Sequence, residues 1–118
     1  MARIVKVALA QVYNGWPGHP EAGEAGPIHE FHRRQLDPYI EKAAALQADI
    51  VCFCENAMNY GARAPEVSAR YYEDVTDGLS FQWASRHARA HGMYIIMPLT
   101  GLHRGELAVT AVVVGRKG

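Results

Sequence analysis

Ala48-Asp-Ile-Val-Cys-Phe-Cys-Glu-Asn56 is the stretch that decides how the chain folds. Asp49 to Cys54 is a short apolar run of strand length, rich in β-branched and aromatic side chains. It follows Glu41-Lys-Ala-Ala-Ala-Leu-Gln-Ala48, a run of high helix propensity, with almost no loop between them. A strand without polar alternation suits a sheet covered on both faces. Glu55 then stands at the carboxyl end of that strand, and a polar, turn-rich stretch runs on to Asp77.

Upstream, Ile4 to Val12 (IVKVALAQV) reads as a second buried, central strand, and Tyr13 to Gly26 as a long loop rich in Gly and Pro. Pro27 suits the first turn of a helix whose apolar stripe includes Ile28, Phe31, Leu36, Ile40 and Ala43. Asp37–Pro38, a good N-cap and first-turn pair, predicts a kink or restart within it. Downstream, Pro65 to Tyr72 has the makings of a short helix. Thr76 or Asp77 is placed to cap a helix over Leu79 to His91, which stops at Gly92. Met93 to Met97 reads as a third strand ended by Pro98, Gly101 to Gly105 as a turn, and Leu107 to Val114 as a fourth strand. The order β-α-β-α-β-β predicts an α/β layered domain whose last, antiparallel pair makes the sheet mixed. Strands this apolar need cover that two helices do not supply. With Gly115-Arg-Lys-Gly118 closing it, the chain of 118 residues reads as an unfinished domain spanning 1–118.

Composition narrows the function classes. Hydrophobic residues make up 49% and charged residues 20%, a globular balance. Twelve basic residues offset twelve acidic ones without clustering, so no field draws nucleic acid or an anionic membrane surface. Charges inside the first apolar run break a secretory signal, and no run has transmembrane length, so a cytoplasmic location is expected. Cys52 and Cys54, one residue apart, are too close for an unstrained bridge and read as reduced core residues.

Glu55 is the first candidate for chemistry. Ligands of α/β sheets bind beyond the carboxyl ends of the strands, and partial burial there suits a carboxylate to act as general base. The plainer alternative is a solvated glutamate opening a loop.

VALAQ in the first strand, ADIVCFCEN, HGMYIIMPLTGL and TAVVVG follow one another in an order that resembles the nitrilase superfamily of carbon–nitrogen hydrolases, from Ile4 to Gly118. The resemblance implies the amino-terminal part of an α-β-β-α sandwich, here a mixed sheet with helices on one side. It implies hydrolysis of non-peptide carbon–nitrogen bonds in small amides, carbamoyl compounds or nitriles by a Glu-Lys-Cys triad, in a homo-oligomer and without cofactor. Of the triad only the glutamate has a counterpart, at Glu55; Lys117 falls within the terminal turn, and neither cysteine matches the nucleophile's place. The same residues imply that Asn56 and Tyr60, on the loop after Glu55, border the substrate. Cys54 stands where the family usually has proline, and Val109 where asparagine commonly precedes Thr-Ala-Val.

No metal is expected. His29 and His32 lie three apart beside Glu30, with no further ligand at convincing spacing, and His87 and His91, four apart near a helix end, are read as facing its terminal carbonyls. Phe81 and Trp83 fit helix packing, and no glycine-rich phosphate loop follows a strand. The 118-residue chain alone is expected not to hydrolyse anything. Two other readings remain beside the enzyme: a non-catalytic α/β module recruiting a partner along a sheet edge, and one part of a split hydrolase.

Overall fold

A computed structural model describes residues 3–12, 25–58 and 72–118. Expectations for Tyr13 to Glu24 and for Asn59 to Tyr71, including Tyr60 and the short helix from Pro65, lie outside the described residues. The elements are β1 (Val7–Ala10), α1 (Ala25–Ala45), β2 (Ile50–Phe53), α2 (Leu79–His91), β3 (Tyr94–His103) and β4 (Glu106–Val114). They form one four-stranded sheet in the order β1-β2-β3-β4. β1 and β2, and β2 and β3, are parallel; β3 and β4 are antiparallel. The mixed α/β sheet is thus as the sequence predicts, with each helix crossing between parallel neighbours.

The helices share one face of the sheet. Leu36 and Ile40 of α1 and Trp83, Ala84 and Ala88 of α2 are buried in one core with Val51, Phe53, Ile95 and Met97. The alternate residues of the same strands look the other way, which follows from the twofold side-chain period. There Val7, Leu9, Val109 and Val113 are exposed, Leu9 by 80%.

Four local expectations need correction. Among the described residues β1 is an edge strand rather than a central one: it pairs with β2 alone, and its Val7 and Leu9 side is exposed. α1 runs unbroken through Pro38. Asp37 does not cap a restarted helix because its carboxylate is taken by Trp83, whose indole nitrogen donates to Oδ1 over 2.7 Å. β3 likewise continues past Pro98. The Pro98 carbonyl accepts from Asn56 N–H, so the position of its missing N–H also faces the β2 side, where the β2–β3 ladder has already ended at Cys52↔Ile96. The turn of the β3–β4 hairpin is therefore only Arg104–Gly105, both with positive φ as a type I′ turn requires.

One helix end agrees with its sequence signal. α2 stops at Gly92, in the left-handed conformation at φ 63°, although it starts at Gly78 without a side-chain cap. Gln47 takes the same conformation after α1, and Ala48 N–H bonds back to Ala43 O at 3.0 Å, which turns the chain directly into β2.

Candidate active site at the strand ends

The parallel strands β1, β2 and β3 point their carboxyl ends to one rim of the sheet, where Gln11, Cys54 and Glu55, and Pro98 to Thr100 come together in sequence order across the ladder. A shallow cleft there is lined by Leu9, Ala10, Gln11, Cys52, Phe53 and Cys54.

Glu55 leaves β2 as the first residue of a tight turn. The turn is fixed from both sides. Asn56 has φ 54°, a left-handed conformation that asparagine tolerates better than other branched or bulky residues. Its backbone N–H donates to Pro98 O at 3.0 Å, and its side-chain Oδ1 accepts from the Thr100 hydroxyl at 3.1 Å. Ala57 N–H returns to Cys54 O at 3.3 Å, and Ala57 and Met58 are buried under the turn. Glu55 is thereby held at the rim by a turn anchored to β3. Its own side chain is exposed, so the partial burial expected from the sequence is not met among the described residues.

Asn56 is half-buried and its amide oxygen accepts from Thr100, which fixes the turn that carries Glu55. Sequence reasoning missed Thr100 because it lies 44 residues away on another strand. Cys52 and Cys54 are free thiols, both half-buried. The Cys52 thiol lies 3.6 Å from the Phe53 carbonyl oxygen, and Cys54 packs against the core. Val109 sits opposite Thr100 on β4, exposed on the open face of the sheet.

The histidines are arranged otherwise than the sequence suggests. His29 and His32 are buried on α1; His29 Nδ1 lies 3.6 Å from Glu73, and His32 packs edge-on against Phe31. Glu73 also accepts from the Ser80 hydroxyl and faces Arg33 at 3.8 Å, which ties the segment before α2 to α1. His87 and His91 do not turn to the end of their helix: they face Asp37 and Glu41 of α1 at 3.1 and 3.3 Å. No helix among the described residues is long and apolar enough to cross a membrane.

A mixed sheet with two helices packed on one face defines a layered α/β protein. The model of the carbon–nitrogen hydrolase family matches residues 29–118, and the chain belongs to that family. Among solved structures it is similar to an N-terminal amidase, with 23% identity and a TM-score of 0.66 over 96% of this chain and 25% of that one. The same amidase with an Asn-Glu-Ala peptide gives a TM-score of 0.67, with 23% identity over 96% of this chain and 26% of that one. A carbon–nitrogen hydrolase from Helicobacter pylori G27 gives 0.59, with 15% identity over 96% of this chain and 36% of that one. These likenesses concern the fold, and the chain spans about a quarter of the length of the amidase structures.

Proposed function

We propose that this chain supplies the general base, Glu55, of a hydrolase that cleaves non-peptide carbon–nitrogen bonds in small amides, carbamoyl compounds or nitriles. The observation that carries the reading is the place of Glu55: second residue beyond β2, on a turn pinned to β3, in a chain of the carbon–nitrogen hydrolase family. In this reading a lysine and a cysteine beyond the 118 residues complete the triad. Glu55 takes the proton of the cysteine thiol, and the thiolate attacks the substrate carbon. The lysine stabilises the negative charge on the tetrahedral intermediate. With an amide or carbamoyl compound Glu55 returns the proton to the departing nitrogen as the carbon–nitrogen bond breaks. With a nitrile the proton goes to the nitrogen of a thioimidate, and water must add before ammonia leaves and the thioester is reached. It then takes a proton from water, which attacks the thioester and restores the thiol. Asn56 and Tyr60 border the substrate, Asn56 chiefly by fixing the turn.

The test is Glu55→Gln in the protein as its gene encodes it, assayed on primary amides, carbamoyl compounds, nitriles and peptides with amino-terminal Asn or Gln. The peptides enter the panel because the similar amidase has been solved with such ligands. Loss of the base should lower kcat/KM about 10²–10⁴-fold. Because the Glu55 side chain is exposed, Tm should not change. A variant as active as the parent sinks the assignment. The pure 118-residue chain should hydrolyse none of these substrates. Should activity appear only on adding a second polypeptide that bears lysine and cysteine, the enzyme is split between chains.

A further inference from the structure

Asp37 and Glu41 lie one helical turn apart on α1, and His87 and His91 lie one turn apart on α2. The pairs meet in order: His87 Nε2 is 3.1 Å from Asp37 Oδ1, and His91 Nε2 is 3.3 Å from Glu41 Oε1. The two helices therefore run side by side in the same direction across this contact. The imidazole rings stack, with centroids 5.9 Å apart and planes within 9° of parallel. Donor atoms of Glu41, His87 and His91 all lie within 4.8 Å of one another.

We infer that Glu41, His87 and His91 form a binding site for a divalent transition cation, Zn²⁺ in the first instance, that clamps α1 to α2. Two imidazoles and one carboxylate are a donor set that suits zinc and its neighbours, whereas Mg²⁺ and Ca²⁺ favour sites made of oxygen alone. Ligands about 2.0–2.2 Å from a tetrahedral ion stand roughly 3.4 Å apart. Glu41 and His91 already stand 3.3 Å apart, and the exposed Glu41 side chain is free to adjust to an ion. The histidines need not move far, being half-buried against the helix pair. Asp37 is the orienting group. Its Oδ1 accepts from the buried Trp83 indole at 2.7 Å and lies 3.1 Å from His87 Nε2, so it holds the His87 ring against α1. A carboxylate behind a ligating imidazole in this way fixes the ring and raises its basicity. A water completes the tetrahedron at the exposed side.

This site lies on the helical layer and does not involve the strand-end rim that holds Glu55. The inference therefore stands or falls independently of the proposed hydrolysis.

The experiment is calorimetric titration of the complete protein with ZnCl₂, paired with Tm in the presence and absence of Zn²⁺. One ion per chain is expected to bind and to raise Tm. The double variant His87→Asn/His91→Asn should lose that binding, Glu41→Gln should weaken it, and Asp37→Asn should weaken it by about 10- to 100-fold. Cys52→Ser/Cys54→Ser, which removes both thiols of the chain, should leave it unchanged. Binding that survives the histidine variant, or that disappears with the cysteines, overturns the site. So does a Tm that ignores Zn²⁺.

Discussion

Asp49 illustrates how one side chain joins segments distant in sequence. Its carboxylate accepts from Lys6 N–H at 3.1 Å, from Arg3 at 2.7 Å and from Arg116 at 2.6 Å. Its backbone carbonyl takes Tyr94 N–H at 2.9 Å, and Arg116 also lies over the Tyr94 ring at 5.3 Å. The start of β2 is thus tied to β1, to β3 and to the turn after β4. The Lys6 amide, aided by both arginines against the opposing effect of burial, holds the Asp49 carboxyl below the ordinary aspartate value of 3.8. A depressed folded-state pKa gives stability that is present above the unfolded value and lost as pH falls through the folded one. Asp49→Asn should accordingly lower Tm at pH 7, and the gap between variant and parent should close on acid titration below about pH 4. A gap that is constant with pH would mean that the carboxylate's charge plays no part. Asn56 is the second decisive residue. Asn56→Ala removes the Thr100 bond and puts a Cβ residue without a compensating amide at φ 54°, a conformation that costs about 1–2 kcal/mol. Denaturant unfolding should report a loss of that order, with Asn56→Gly milder and Thr100→Val in between.

At the scale of elements, the sequence carried the identity and order of the helices and strands, because each has its own period and punctuation. Gly92 ends α2 where the helical stripe stops, and Glu55 falls at the end of β2 as its apolar run predicts. What the sequence hid were relations between elements. Asp37–Pro38 looks like a helix start because the competing partner of Asp37, Trp83, sits 46 residues downstream. His87 and His91 look like end-of-helix groups because Glu41 and Asp37 belong to another helix. Trp83 is the hinge of that contact: it is buried, packs against Phe53 at 6.0 Å and donates to Asp37. Trp83→Phe keeps an aromatic ring but leaves the carboxylate without its donor. A hydrogen bond to a charged group is worth about 1.5–3 kcal/mol, and a stability loss near the lower end is expected because Asp37 is partly open to water. Gly101 marks a different kind of contact. The segment before α2 runs parallel to the end of β3, with Val75 N–H on Leu102 O and Leu102 N–H on Glu73 O, both at 2.8 Å. A Cβ at Gly101 would stand 2.7 Å from Glu73 O and from a Val75 methyl, so this segment could not approach.

At the scale of the whole molecule, the sheet is covered on one face and bare on the other. Val7, Leu9, Leu107, Val109 and Val113 are each more than half exposed there. They stand on the two outer strands, and the row Leu9–Cys52–Ile96–Val113 joins them in register across β2 and β3; surfaces of that kind are ordinarily buried against another layer. These strands read as apolar on both faces, the pattern of strands covered by a layer on each side. β1 was legible as a strand but not as an edge, since nothing in IVKVALAQV tells which neighbours are contributed by other residues. A charge on the bare face separates the two environments by sign. Val109→Lys with Val113→Lys should make the isolated 118-residue chain less prone to associate, measured by light scattering and by binding of an apolar dye, because both side chains then meet water. In the complete protein, if a second sheet covers this face, the same substitutions bury two ammonium groups without partners and should lower stability by several kcal/mol. Improvement in the first setting and damage in the second would locate the missing layer on this face. Equal tolerance in both would mean that the face remains open and that the edge-pairing module is the better description of the chain.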